Sequence, residues 1–268
     1  NKKLKKGDQI HVITLMPNRY NLKRSSAKDT EINELITIHR IKIPSYKEGI
    51  IAKSYSYLFY SFKAFILCRK LKPDFLIGTS SRLMTAVLTY LSAKFLKKKY
   101  CIDLRDIFSD TISAFLERKN KVVAILMKSF FVKIERTIFN SAAIVNVVSE
   151  SFSEYYKSKG ISTSHWVFFP NGVDEEFRIA NQQNKEKLNK IKTILYAGNI
   201  GHGQGLHKVI PKIATTLSKD FQIKIIGAGS AHFKLKNCIL KNNNVELISP
   251  VERKELKKHY QEADVLFL

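Results

Sequence analysis

Apolar runs of strand length alternate with amphipathic stretches of helix length along most of this chain, and that alternation narrows the folds open to it. Residues 10–15 (IHVITL), 36–43, 74–79 (DFLIGT), 99–104 (KYCIDL) and 143–148 (AIVNVV) read as strands. Helical patterns lie between them at about 50–71, 81–97, 121–140 and 150–159. Strands that take turns with helices build βαβ units, and βαβ units build a parallel sheet. The runs are short and continuously apolar, as strands need to be when helices cover both faces of the sheet. The expectation is an α/β fold of doubly wound, Rossmann-like design.

The pattern breaks at Phe169-Pro170-Asn171-Gly172, a turn signal. A polar stretch from Asn181 to Lys190 follows and carries no apolar periodicity. A second α/β run comes next, with strands at 193–198, 221–227, 245–249 and 264–268 and helices near 204–219, 230–241 and 252–262. The boundary falls at about 170–175, dividing residues 1–172 from 173–268. Both ends read as cut. No phosphate-type glycine loop follows the first strand, and no helix follows the last to cover it, which leaves an apolar edge open. The first domain is expected to lack its first strand and the second to be incomplete.

Length and composition add limits rather than chemistry. A chain of 268 residues can bury two cores. It holds no run of about 18 uncharged apolar residues, so no spanning helix is expected. The opening NKKLKKGDQIHVITL passes from basic residues straight into a strand, unlike a signal peptide. Cys68, Cys101 and Cys238 share neither a pair spacing nor a metal pattern and read as reduced thiols. The net charge of +23 is uneven: residues 1–170 hold 30 Lys or Arg against 13 acidic residues. A nucleic acid could balance that excess, as could an anionic membrane surface. The plain alternative is a lysine-rich composition in which clusters such as Lys97-Lys98-Lys99 are solvated faces.

Four short motifs carry the chemistry. Tyr196-Ala-Gly-Asn-Ile-Gly-His-Gly-Gln-Gly-Leu206 follows a strand and opens a helix. Glycines at 198, 201, 203 and 205 allow backbone N–H groups to approach an anion, and the helix behind them adds about half a positive charge. A diphosphate needs both. The spacing is not the G-x-G-x-x-G dinucleotide fingerprint. Ile225-Ile-Gly-Ala-Gly-Ser230 is a strand running into a Gly-x-Gly turn, which would line the same carboxyl-end crevice. Pro170-Asn-Gly-Val-Asp174 supplies a tight turn, and by physics alone a plain interdomain turn explains it. Asp103-Leu-Arg-Asp-Ile-Phe-Ser-Asp110 sets three carboxylates and an arginine at a strand end, where they are solvated, mutually paired or in a cleft. His202 and His207 lie near the first loop, but their spacing does not put them on one face, so no metal site is expected.

Taken in order, PNGVD, YAGNIGHGQGL, IIGAGS and VELISPVERKELKKHYQEADV resemble glycosyltransferase family 4, from about residue 70 to the end. The resemblance implies two Rossmann-like domains in the GT-B arrangement, a retaining transfer from a nucleotide-sugar and no metal or other cofactor. The segment DLRDIFSD and the variant loop GNIGHGQG are similar to a branch that includes N-acetyl-L-fucosamine transferases of surface polysaccharide synthesis. There is a departure from the family. Its common members hold the donor diphosphate with an Arg and a Lys, where this chain has Asn199 and Gln204. Neutral amides donate hydrogen bonds but cannot neutralise charge. The family's paired-glutamate segment would follow residues 264–268, so the chain as it stands is expected to be catalytically incompetent.

The resemblance implies a placement for each site residue. Asn199, Gly201, Gln204 and Gly205 would hold the diphosphate of a UDP-linked donor, with Gly227 and Gly229 near the nucleoside and Ser249, Pro250 and Val251 near the base. Asp103, Arg105 and Asp110 would face the acceptor, and Asp106 would orient or deprotonate its hydroxyl. The acceptor would be a lipid-linked saccharide, as in O-antigen or capsule synthesis, and the protein would be cytoplasmic, resting peripherally on the anionic inner membrane. Segments 50–69 and 122–139, both apolar with interspersed basic residues, would be the resting surface or else core-packed helices. Two rival readings stay open. A nucleic-acid-binding protein accounts for the charge but not the glycine loops, and no nucleic acid is expected as partner. A sugar-nucleotide epimerase or a non-catalytic relative would share the architecture.

Overall fold

The computed structural model describes residues 7–17, 27–43, 50–80, 82–107, 121–177, 191–217 and 220–267. They form two compact units, Asn1–Asn171 and Gly172–Leu268.

The first unit begins with β1 (Ile10–Leu15), β2 (Thr30–Asn33) and β3 (Ile36–Ile41), in the order β1-β3-β2. β1 and β3 are parallel, whereas β2 and β3 form an antiparallel hairpin through Glu34, whose φ is 44°. β2 carries no sequence signal, because TEIN is exposed at every position and has no apolar face to betray it. The strand expected over 36–43 stops at Ile41. A 22-residue helix, α1 (Ile50–Leu71), follows, and its Tyr60 hydroxyl donates to the Ile13 carbonyl at 3.2 Å.

The second sheet of this unit is fully parallel, in the order β4 (Phe75–Ser80), β5 (Lys99–Leu104), β6 (Ile144–Val147), β7 (Trp166–Phe168). Helices α2 (Leu83–Leu96), α3 (Lys121–Ser141) and α4 (Glu150–Ser158) connect and flank it. β5 is buried from Tyr100 through Leu104, which is why those residues are apolar but for a single aspartate, Asp103, next to the strand's end. The core gathers Ile102, Leu104, Val145 and Val147 against Phe139 and Tyr156. Phe139, Tyr156 and Trp166 close on one another edge-on or tilted, with centroids 5.2 to 5.6 Å apart. The three-residue β7 escaped the sequence reading because it is too short to show a period.

In the second unit β8 (Lys192–Ala197), β9 (Phe221–Ile226), β10 (Val245–Ile248) and β11 (Val265–Leu266) are all parallel, in the order β10-β9-β8-β11. The helices are α5 (Leu206–Thr216), α6 (His232–Cys238) and α7 (Arg253–Glu262). Leu195, Ile200, Ile210, Ile223, Ile225 and Leu235 form the core. The chain steps outward from β8 to β9 to β10, then crosses back to lay β11 on the other side of β8. The carboxyl end of β8 is therefore a switch point, where connections on either side diverge and leave a crevice. The α/β reading with parallel sheets flanked by helices is realised in both units. Among the described residues no helix is long and apolar enough to cross a membrane.

One close approach fixes how α2 lies on its sheet. A Cβ on the buried Gly78 of β4 would fall inside van der Waals contact of the Thr89 hydroxyl of α2, which donates to the Thr85 carbonyl at 2.9 Å. Gly78→Ala is expected to cost ~1–3 kcal/mol by overpacking. Chemical denaturation measures the loss, and adding Thr89→Ala should recover part of it; equal stability of Gly78→Ala and wild type would contradict the packing.

Candidate functional site

β8 runs into the loop Gly198–Gly205, which turns through a 3₁₀ segment, His202–Gln204, before α5 starts. The β8–β9 ladder continues past both strand ends. Gly198 donates to the Ile226 carbonyl at 2.9 Å, and Ile200 donates to the Ala228 carbonyl at 2.9 Å. The Ile200 carbonyl in turn accepts from Ala231 at 2.9 Å. The Ile200 side chain is fully buried, so the loop is nailed to the core at its middle.

Glycine is required where the two turns touch. Gly227 has φ +156°, and a Cβ there would fall on the Gly198 carbonyl. A Cβ on Gly229 would collide with the Ile200 carbonyl and come within 2.8 Å of Asn199 Oδ1. Gly205, with φ 66° and ψ 11°, occupies the left-handed region and caps α5 through its carbonyl, which accepts from Lys208 at 2.8 Å.

Within the loop, Gly201 donates its main-chain N–H to Gln204 Oε1 at 3.1 Å, and Asn199 Nδ2 donates to the same oxygen at 3.3 Å. A main-chain N–H can only donate, so the Gln204 amide must turn its oxygen inward, leaving its NH₂ group for a ligand. Tyr196 braces the turn from below, its hydroxyl donating to the Asn199 carbonyl at 2.8 Å. β10 joins the rim as well: Gly227 donates to the Ile248 carbonyl at 3.1 Å, and the exposed Ser249 and Pro250 and half-buried Val251 follow directly. The structure thus brings Asn199, Gly201, Gln204, Gly205, Gly227 and Gly229 together, with Ser249–Val251 at the end of the neighbouring strand.

His207, on the first turn of α5, is 8% exposed, and its Nδ1 is buried without a hydrogen-bond partner. Its ring lies edge-on to His202, with centroids 6.1 Å apart. Burial lowers its pKa from the ordinary histidine value, and the nearby cations of Lys234 and Lys208, with His202, push in the same direction. Among the described residues no group of three or more His, Cys, Asp or Glu side chains could hold a metal ion.

In the first unit, Asp103 sits next to the end of β5 in a buried position and spends both oxygens internally. Oδ1 accepts from Asn146 Nδ2 at 2.6 Å, and Oδ2 pairs with Arg105 Nε and Nη2, each at 2.8 Å. Arg105 Nη1 then donates to Asn171 Oδ1, and Asn146 Oδ1 accepts the Phe169 N–H at 2.9 Å. The network ties the ends of β5 and β6 to the Pro-Asn-Gly turn. Asp103 and Arg105 therefore hold one another, while Asp106 stands exposed two residues beyond the strand. Asp110 lies outside the described residues. Asn146 carried no expectation from the sequence, and Asn171 was expected only as part of a tight turn. The available signals were an asparagine inside the apolar strand Ile-Val-Asn-Val and the Asn-Gly pair of the turn.

No protein-family model matches the chain. It is 28% identical over 193 residues to the putative colanic acid biosynthesis glycosyl transferase WcaI of Escherichia coli (strain K12), covering 68% of this chain and 46% of that protein. The chain thus spans about half the length of the curated relative it matches. Among solved structures, a sucrose-phosphate synthase from Thermosynechococcus elongatus superposes with a TM-score of 0.71 at 12% identity, covering 97% of this chain and 65% of that one. Anabaena Alr3699/HepE in complex with UDP-glucose superposes with a TM-score of 0.58 at 13% identity, covering 85% and 59%. These likenesses show the fold, the α/β units of GT-B glycosyltransferases.

The buried His207 yields a test of the loop's packing. With its folded pKa lowered, the unfolded chain takes up the proton first as pH falls through the ordinary histidine value of about 6.5. Stability is complete above that value and declines below it. His207→Gln should flatten part of the fall in melting temperature between about pH 7.5 and about pH 5.5; an unchanged pH profile would mean that His207 titrates normally.

Proposed function

We propose that this chain belongs to a retaining glycosyltransferase that moves a sugar from a UDP-linked donor to a lipid-linked saccharide in surface polysaccharide synthesis. The observation that carries the reading is the meeting of two glycine turns and the start of an 11-residue helix at the carboxyl end of β8, the switch point of the sheet. The first N–H groups of such a helix have no intrahelical partner and carry partial positive charge, which suits a diphosphate. The likeness to the polysaccharide transferase WcaI, over 68% of this chain, supports the same chemistry. That the UDP-glucose complex of HepE has this fold supports a uridine nucleotide as the donor's carrier.

In this reading the Gln204 amide and the first-turn N–H groups of α5 hold the diphosphate without a metal, and Ser249–Val251 border the base. Leaving-group stabilisation then rests on fixed dipoles that need no reorganisation when charge develops on the departing phosphate. Among the described residues of that segment, Asp106 is the carboxylate that would orient an acceptor hydroxyl, since Asp103 is committed to Arg105 and Asn146. The donor sugar is an N-acetylated deoxyhexosamine such as N-acetylfucosamine. The protein works at the cytoplasmic face of the inner membrane as a peripheral protein.

Calorimetric titration of the complete protein with UDP, UDP-sugars and other nucleoside diphosphates, in metal-free buffer, tests the donor site. UDP or a UDP-sugar should bind selectively. Gly201→Val, whose Cβ would sit 2.6 Å from Gln204 Oε1 and 2.8 Å from Asn199 Nδ2, should weaken binding roughly a hundredfold. Absence of nucleotide binding, or salt-sensitive binding to arbitrary DNA in its place, would sink the proposal. Conversion of the donor without any acceptor would assign the same site to an epimerase.

A further inference from the structure

The surface of α1 and α2 has no place in the donor site, yet its composition is extreme. Residues 50–102 hold ten Lys or Arg and a single acidic residue, Asp74. Neither helix contains an acidic side chain. On α1, Leu58 and Phe62 are 62% and 64% exposed, one helical turn apart on the same face. On α2, Leu91 and Phe95 repeat that arrangement at 53% and 58%. Phe65 of α1 meets Phe95 edge-on with centroids 5.1 Å apart, so the two apolar stripes join into one patch. Arg69 lies over the Phe95 ring at 5.8 Å and sets a cation in the middle of it.

Cations also gather on both flanks. Beyond α2, a hollow of about 610 Å³ is lined by Lys94, Lys97, Lys98 and Lys99, with Tyr100 and Ser141 among its other residues. Lys98 pairs with Asp74 at 3.3 Å, and that is the one acidic residue in the segment to set against them. Beside α1, a smaller hollow of about 370 Å³ is lined by Lys42, Lys63 and Lys70 among apolar Ile41, Ile66 and Leu67.

We infer that the α1–α2 face of the first unit is an adsorption surface for an anionic lipid bilayer, with Leu58, Phe62, Leu91 and Phe95 entering the headgroup–acyl boundary and Lys63, Lys70, Lys94, Lys97 and Lys99 receiving lipid phosphates, while Lys42 and Lys98 pair with Asp29 and Asp74. An apolar strip bordered by cations on both sides matches the layering of such a surface, whereas a soluble acidic protein would not call for exposed aromatics at its centre. α3 is also apolar and exposed, at Ile125, Leu126 and Phe130, but Glu135 and the basic residues interspersed along it leave it without the all-basic character of α1 and α2. The inference rests on the lipid-linked acceptor of the proposed function, since a transferase held on the bilayer meets such an acceptor in two dimensions.

Flotation of the complete protein with vesicles of phosphatidylglycerol and phosphatidylethanolamine, against vesicles of phosphatidylcholine alone, tests this. Retention on the anionic vesicles should be at least about tenfold higher and should fall as salt is raised, because screening shortens to about 8 Å at physiological ionic strength. Phe62→Ser with Leu91→Ser should lower retention severalfold at any salt, while Lys94→Glu with Lys97→Glu should abolish the preference for anionic lipid. Circular dichroism and the nucleotide titration, unchanged in these variants, show that the fold and the donor site remain. Three results overturn the inference: equal retention on both vesicle types, loss of retention in a few millimolar inorganic phosphate (a small-anion site), or sedimentation as a dimer that both variants dissociate (a second copy on this face). Vesicle binding with no nucleotide binding leaves the inference standing and removes the donor reading.

Discussion

The main chain of Ile200 is the hinge pin of the second unit's chemistry. Its N–H donates to Ala228 and its carbonyl accepts from Ala231, so one residue of the first glycine loop is bonded twice to the second. Its side chain is wholly buried in the same core as β8 and β9. Two loops from different strands are thereby locked into one rim. The lock leaves no room for side chains at Gly227 and Gly229, where a Cβ would strike the facing carbonyls. The glycines serve the contact between loops first, and any access they give to a ligand follows from it.

The first unit solves the matching problem with charge. At the carboxyl end of β5, Asp103 is buried and satisfied by Arg105 and Asn146. Breaking such a set by removing one partner costs more than the set contributes, because the remaining group keeps its desolvation without its partner. The network therefore holds the strand ends and the Pro-Asn-Gly turn in register. Of the two aspartates in Asp103-Leu-Arg-Asp106, only the exposed Asp106 keeps its carboxylate outside that network. The two units thus place their candidate sites at strand ends by different means, main-chain bonding in one and, in the other, a buried aspartate paired with a half-exposed arginine.

Neutral side chains at positions 199 and 204 gain their meaning from this frame. Gln204 turns its oxygen to Gly201 and to Asn199, so the pair stiffens the loop as much as it could bind. His207, close behind, has its pKa lowered by burial and by the cations of Lys234 and Lys208. The charge absent from the loop is plentiful elsewhere, as in residues 50–102, where ten Lys or Arg stand against one acidic residue and border exposed aromatic and aliphatic residues.

The sequence by itself determined the fold class and the position of nearly every parallel strand, because burial on both faces forces a continuous apolar run and the helices between them keep their own period. It also marked the glycine loops, since four glycines in eight residues after a strand have few other uses. Elements that bury little stayed hidden: β2, exposed throughout, and β7, three residues long. What only the tertiary structure decided was partnership. That Asn146 and Asn171 complete the network around Asp103 and Arg105, and that α1 and α2 join their apolar stripes, depends on residues 30 or more positions apart meeting in space. Local pattern reports which face a residue turns to the core. It carries no record of which distant residue waits there, because that is set by strand order and register.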